Sequence, residues 1–210
     1  MNGTPIFIFA FLLGLKHAIE PDHIISVSNI VGATKNIKRA AMVGIIWGIG
    51  HTATLLIVGM ITIMLKEEIP NNLATLLEIG VGIMIIFLGM KTILSYKKKL
   101  HSHSHNNDGI YGCGIIDYIK SLSIGFIHGL AGSAAMIFLT VSTANSYLEG
   151  GLFIGAFGLG TIVSMLLCTL IIGIPFAINN NVNINKFMNL SIGIFSLGFG
   201  FYYVYSLINI

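Results

Sequence analysis

Apolar stretches of membrane-crossing length follow one another along most of the chain, separated by short polar joints. The pattern predicts helices over Pro5–Val31, Ala40–Leu65, Leu73–Tyr96, Ile115–Ser142, Gly150–Ile178 and Phe187–Asn209. The expected fold class is an all-α polytopic membrane protein with six transmembrane helices. One joint is longer than the others, the polar stretch Lys97–Gly114. Basic residues crowd one set of joints. Lys35, Lys38 and Arg39 follow the first run, Lys97, Lys98 and Lys99 the third, while Lys120 opens the fourth and Lys186 the sixth. On the other side only Lys66 appears, beside Glu67 and Glu68. The positive-inside rule then puts the first, third and fifth joints in the cytoplasm and both termini outside.

The first run is interrupted. Lys16-His17-Ala18-Ile19-Glu20-Pro21-Asp22-His23 places five ionisable side chains within eight positions of an otherwise apolar segment. Such residues at membrane depth cost several kcal/mol and point to function by default. In a straight helix His17 and Asp22 would lie ~140° apart and His23 ~100° further on, so the three would not share a face. Pro21 changes this, because it has no N–H for the carbonyl of His17 and its ring clashes there. The helix is expected to kink or open inside the motif, which membrane depth tolerates where the backbone lines a cavity or is covered by protein. Two imidazoles, a carboxylate and a freed carbonyl would then converge, a donor set suited to a divalent nickel, cobalt or zinc ion. The competing arrangement is a kinked helix with Lys16 paired to Glu20 and the histidines bonded to neighbouring helices. It gives Asp22 and His23 no role.

The two halves of the chain repeat. Gly14-x-x-His17 matches Gly125-x-x-His128 at an offset of 111, Gly48-Ile49-Gly50 matches Gly158-Leu159-Gly160 at 110, and Gly82 and Gly89 match Gly193 and Gly200 at 111. Residues 1–96 and 115–210 are read as two three-helix repeats, joined by a histidine-containing cytoplasmic linker at 97–114. An odd number of spans per repeat makes the halves opposite in orientation, a 3+3 inverted repeat with its substrate site near the midplane. The chemistry is unequal, however. The second half keeps His128 but has Ala131-Gly132-Ser133 where the first has Glu20-Pro21-Asp22, and Thr161 where the first has His51.

His17, Asp22 and His23 are therefore the candidate metal ligands, with His51 of Gly50-His51-Thr52 as a fourth ligand or the partner of one. Glu20, Thr52, His128 and Ser133 are candidates for the substrate path or for support of the ligands, His128 equally for packing. Glu78, near the outer end of its run, is read as structural, and Trp47 as a core residue or interface anchor. His101, His103 and His105 in the linker suit weak metal buffering.

Composition narrows the classes further. The chain has 210 residues, of which 55% are hydrophobic and 9% charged, with mean hydropathy +0.88; soluble domains average about 25% charged residues. The net charge of +3 sits in the joints and carries no nucleic-acid signal. Cys113 and Cys168 form no C-x-x-C pair, which excludes thiol–disulfide transport chemistry. Gly89-Met90-Lys91-Thr92 lacks the Gly-Lys pair of a P-loop, so no ATPase domain is expected in this chain. Nucleophile-elbow and intramembrane protease patterns are absent, and no enzyme activity is expected. The start, Met-Asn-Gly-Thr, has no basic region, and no removable signal is expected.

These residues resemble the nickel/cobalt permease family. Its signature is a basic residue and His, then four residues, then Asp-His, here Lys16, His17, Asp22 and His23. A Gly-His-Ser/Thr stretch follows in the next helix, here Gly50-His51-Thr52. Longer members carry Asp-Ala-Asp-His in place of Glu20-Pro21-Asp22-His23, eight spans, and a later Phe-Asp-Thr pattern; here that later region reads His128-Gly-Leu-Ala-Gly-Ser133. This version resembles the shorter branch associated with urease accessory proteins. The resemblance implies a secondary transporter of Ni²⁺, with Co²⁺ as an alternative cargo, in the cytoplasmic membrane. Import is the expected direction. Efflux, or a membrane metallochaperone serving urease assembly without transport, is the alternative. The expected partners are the metal ion and the bilayer, and a homo-oligomer is compatible with the sequence.

Overall fold

The computed structural model describes residues 4–32, 34–65, 70–101, 115–132, 140 and 146–209, with side chains except at 4 and 96–101. Its elements are α1 (Thr4–His17), α2 (Pro21–Val31), α3 (Ile37–Leu65), α4 (Asn71–His101), α5 (Ile115–Ala131), α6 (Tyr147–Ile178) and α7 (Val182–Ile208). Four of these, α3, α4 as far as Ser95, α6 and α7, are long and apolar enough to cross a membrane. The first apolar run does not form one helix. It is divided into α1 and α2, of 14 and 11 residues, each short of the ~20 residues a crossing helix needs. The fourth run is helical to Ala131, while 133–139 and 141–145 lie outside the described residues.

Pro21 accounts for the division. Glu20 adopts φ −59°, ψ 144°, the extended region into which a following proline pushes its neighbour. Pro21 then opens α2, at the helix position where its missing N–H leaves nothing unsatisfied. The turn between the helices is tight. Ile19 N–H donates to the Lys16 carbonyl at 3.1 Å and Glu20 N–H to the His17 carbonyl at 3.0 Å. This corrects one expectation: Pro21 does not leave the His17 carbonyl free, because Glu20 takes it.

α2 lies centrally, touching α3, α4, α5, α6 and α7, and buries His23, Ile25, Ser26, Val27, Ile30 and Val31. Asn29 ties it to two neighbours, donating to Ser196 Oγ at 3.0 Å and accepting from Thr92 Oγ1 at 2.8 Å. Around it α1 packs on α6, α5 on α3, α3 on α6 and α4 on α7. Small residues make these seams, as they do where lipid removes the hydrophobic drive between helices. A Cβ on Gly14 would meet the Phe157 carbonyl, and one on Gly160 the Phe11 carbonyl, across α1 and α6. Across α5 and α3, Gly125 meets the Trp47 carbonyl and Gly50 the Leu122 carbonyl in the same way. Hydroxyls reinforce both seams, Ser164 Oγ donating to the Leu15 carbonyl and Thr54 Oγ1 to the Phe126 carbonyl, each at 3.0 Å. Ile61, Phe87, Leu159 and Phe195 point outward and exposed, an apolar exterior that suits lipid.

Candidate metal centre

The break after α1 decides the geometry. His17 is the last residue of α1, and Asp22 and His23 lie in the first turn of α2. The chain reverses phase between them, so the two imidazoles face each other with ring centres 4.6 Å apart. His51 comes from the middle of α3, 5.2 Å from His17 and 5.4 Å from His23. One ring nitrogen from each of His17, His23 and His51 lies within 4.8 Å of the other two. His128 of α5 approaches His23 from another helix, at 5.0 Å between ring centres. His23, His51 and His128 are each at most 1% exposed.

Carboxylates orient two of these rings. Glu20 Oε2 lies 3.0 Å from His17 Nδ1, and Asp22 Oδ1 lies 2.9 Å from His23 Nδ1. A carboxylate on Nδ1 holds the proton there and turns the Nε2 lone pair inward, the arrangement that commonly backs a metal-binding histidine. Nε2 of His17, Nε2 of His23 and both nitrogens of His51 are buried and have no hydrogen-bond partner among the described residues. Imidazole nitrogens so placed suit nickel, cobalt or zinc. The competing arrangement paired Glu20 with Lys16; the contact that forms is with His17.

Aromatic rings wall the cluster. Trp47 stacks on His51, with ring centres 5.1 Å apart and planes 10° from parallel, and it also borders His23 and His128. Phe157 closes the far side of His17 at 5.4 Å. Trp47 is thus fully buried beside the histidines, with its indole N–H unpartnered among the described residues.

A cavity of about 290 Å³ opens onto the cluster, and Lys16, His17, Glu20, Asp22, His23 and His128 line it with Glu78 and Tyr203. Glu78 was read from the sequence as structural, and Tyr203 was not singled out there. Glu78 had a usable signal, since it is an acidic side chain within an apolar run. Tyr203 had none. Thr52 is not brought into the cluster. Its hydroxyl donates to the Gly48 carbonyl at 2.7 Å and lies 3.3 Å from the Gly158 carbonyl, in the α3–α6 seam. Ser133, His103 and His105 lie outside the described residues, as does the side chain of His101.

Comparison with known proteins agrees with this chemistry. The family model described as high-affinity nickel-transport protein (NicO) matches residues 4–113. The chain is 47% identical to urease accessory protein UreH of Bacillus sp. (strain TB-90) over 96% of this chain and 91% of that one. It is 29% identical to a Methanocaldococcus jannaschii protein provisionally named a nickel/cobalt efflux system, over 75% of this chain and 71% of that one. It is 30% identical to the high-affinity nickel-transport protein NixA of Helicobacter pylori, over 48% of this chain and 34% of that one. No solved structure matches the chain. With its apolar helices and its likeness over half its length to the family model, this chain is a multi-pass membrane protein of the high-affinity nickel-transport protein family, a family of transporters rather than enzymes.

Proposed function

We propose that the chain carries Ni²⁺, with Co²⁺ as an alternative cargo, inward across the cytoplasmic membrane through His17, His23 and His51. Asp22 and Glu20 hold two of those imidazoles in place. The observation that carries this reading is the set of four unpartnered imidazole nitrogens buried at the break of the first helix. An unsatisfied buried polar atom costs about 1–3 kcal/mol, and a bound dication removes that cost for several at once. An inside-negative potential of 100 mV favours inward movement of a dication by ~4.6 kcal/mol, so import needs no ATP.

Two further observations support the reading. Glu78 lies near the start of α4 and Tyr203 near the end of α7, the ends away from Lys35, Lys38 and Arg39. In the orientation that the basic joints favour, with both termini outside, the cavity faces the extracytoplasmic side. The seams also occur in related pairs. The Gly14–Phe157 contact corresponds to Gly125–Trp47, and the Thr54–Phe126 hydrogen bond to Ser164–Leu15, at the offsets of 111 and 110 read from the sequence. This supports a 3+3 inverted repeat in which α1 and α2 together make one broken span, with 1–96 and 115–210 as the repeats and 97–114 as the linker.

The M. jannaschii relative's name favours efflux as a second reading, and the Bacillus relative's name, a urease accessory protein, leaves a metallochaperone as a third. Proteoliposomes holding only this purified chain separate them. With an imposed inside-negative potential, Ni²⁺ should accumulate in the lumen. Binding without flux would leave the metallochaperone, and extrusion driven by a proton gradient would make the chain an exporter. For orientation, single cysteines at Ser104 and Asn209, in a chain without Cys113 and Cys168, should react with an impermeant reagent in whole cells at 209 and not at 104.

A further inference from the structure

We propose that the ion has a second resting place beside the first, formed by Asp22, His23 and His128, and that His23 is the ligand common to both. This rests on the reading that His17, His23 and His51 hold the ion. One ligand atom each from Asp22, His23 and His128 lies within 4.8 Å of the other two. Asp22 Oδ2 stands 3.8 Å from His128 Nε2. That is too far for a hydrogen bond, yet two ligands ~2.0–2.1 Å from a common ion can span it. His128 is 1% exposed, and its Nδ1 donates to the Ile124 carbonyl at 3.1 Å. Its Nε2 lone pair therefore faces Asp22, with the Ser26 hydroxyl as a weak competitor at 3.4 Å.

The two sets share His23 but do not merge. The four histidines do not gather within the distance that defines either group of three. Their access to the cavity also differs. Asp22 and His128 are on its wall, as are His17 and His23, whereas His51 is fully buried and does not reach it. Because His51 is off that wall, an ion arriving through the cavity is held by Asp22, His23 and His128 before it gains His51, exchanging ligands while His23 stays bound. Such a shared ligand spares the ion from being stripped at any step. A path needs sites tight enough to load and connected enough to release, and two adjoining stations meet both demands.

The test uses the purified full chain with Ni²⁺ alone, read by calorimetry, X-ray absorption at the nickel edge, and uptake into proteoliposomes. The parent should show three imidazoles on nickel. His51→Ala should still bind, about 10–100-fold more weakly, with fewer imidazoles and with carboxylate oxygen in the spectrum. His128→Ala should keep the parent's affinity and spectrum but lose most of the uptake rate. His51→Gln, which fills the site, serves if His51→Ala does not fold. Complete loss of binding in a folded His51 variant would mean one station only, and parent-like uptake by His128→Ala would also overturn the proposal. A different result strikes the underlying reading: His23→Ala with parent affinity and parent uptake would place the ion elsewhere altogether.

Discussion

At the seam between α5 and α3, Gly50 admits the Leu122 carbonyl and the next residue is His51; between α1 and α6, Gly160 admits the Phe11 carbonyl and the next residue is Thr161. The backbones meet in the same way, yet the side chains do opposite things. Thr161 Oγ1 donates to the Phe157 carbonyl at 3.2 Å and lies 3.4 Å from the Gly14 carbonyl, so its hydroxyl is spent within the seam. Both ring nitrogens of His51 are left without a protein partner among the described residues. One packing slot can thus close a seam with a hydroxyl or reserve nitrogen for an ion. The second choice carries a free-energy penalty until the ion is present.

The comparison breaks most completely at His23, which belongs to both ligand groups. His23→Ala should remove calorimetrically detectable Ni²⁺ binding while the chain stays helical by circular dichroism. Thr161→Ala should leave the affinity at the parent's value. Loss of binding in the Thr161 variant would mean that the two seams are not chemically separate.

Next come the paired glycines. Gly50→Ala and Gly160→Ala each force a methyl group against a carbonyl, and each should cost about 1–3 kcal/mol. Thermal melting in detergent should show comparable losses for the two. A large loss at one and none at the other would show that the seams carry unequal loads.

The carboxylates come third. Glu20→Gln should weaken Ni²⁺ binding about tenfold, at the low end of what loss of an orienting partner costs. Asp22→Asn should weaken it further, because Asp22 faces both His23 and His128. Titrations of the two purified variants would rank them, and the opposite order would reverse the roles given to the two residues.

The smallest effect concerns the hydroxyl itself. Thr161→Val should lower stability by about 0.5–1.5 kcal/mol, the net value of a hydrogen bond, without changing Ni²⁺ affinity. His51→Leu should do the reverse, leaving the metal-free chain as stable as the parent or more so, since it removes two unpartnered nitrogens. Melting curves with and without Ni²⁺ would read both.

Some of this was legible residue by residue. The apolar runs announced membrane helices, and four of the helices are long enough to cross. Pro21 announced a break, because a proline acts on the carbonyl four residues back and on the residue before it, both local in sequence. The break does fall between His17 and Pro21. Other features were not legible. Glu20 stands at i,i+4 from Lys16 in a continuous helix, but the turn ends that spacing and brings Glu20 onto His17. Thr52 follows His51 directly, and the ~100° step of a helix carries it to the α6 side, where Gly158 receives it.

What the sequence determined by itself was that the apolar runs fold as helices and the point where the first is broken, because helix formation, apolar length and proline sterics act over a few residues. Only the tertiary structure decided which nitrogens remain unpartnered, that Asp22 holds His23, and that Glu78 and Tyr203 share a cavity with them. Those outcomes depend on how far each helix is rotated about its axis. That rotation is set by backbone contacts between residues far apart in the chain, such as Gly89 with the Gly193 carbonyl and Gly200 with the Gly82 carbonyl.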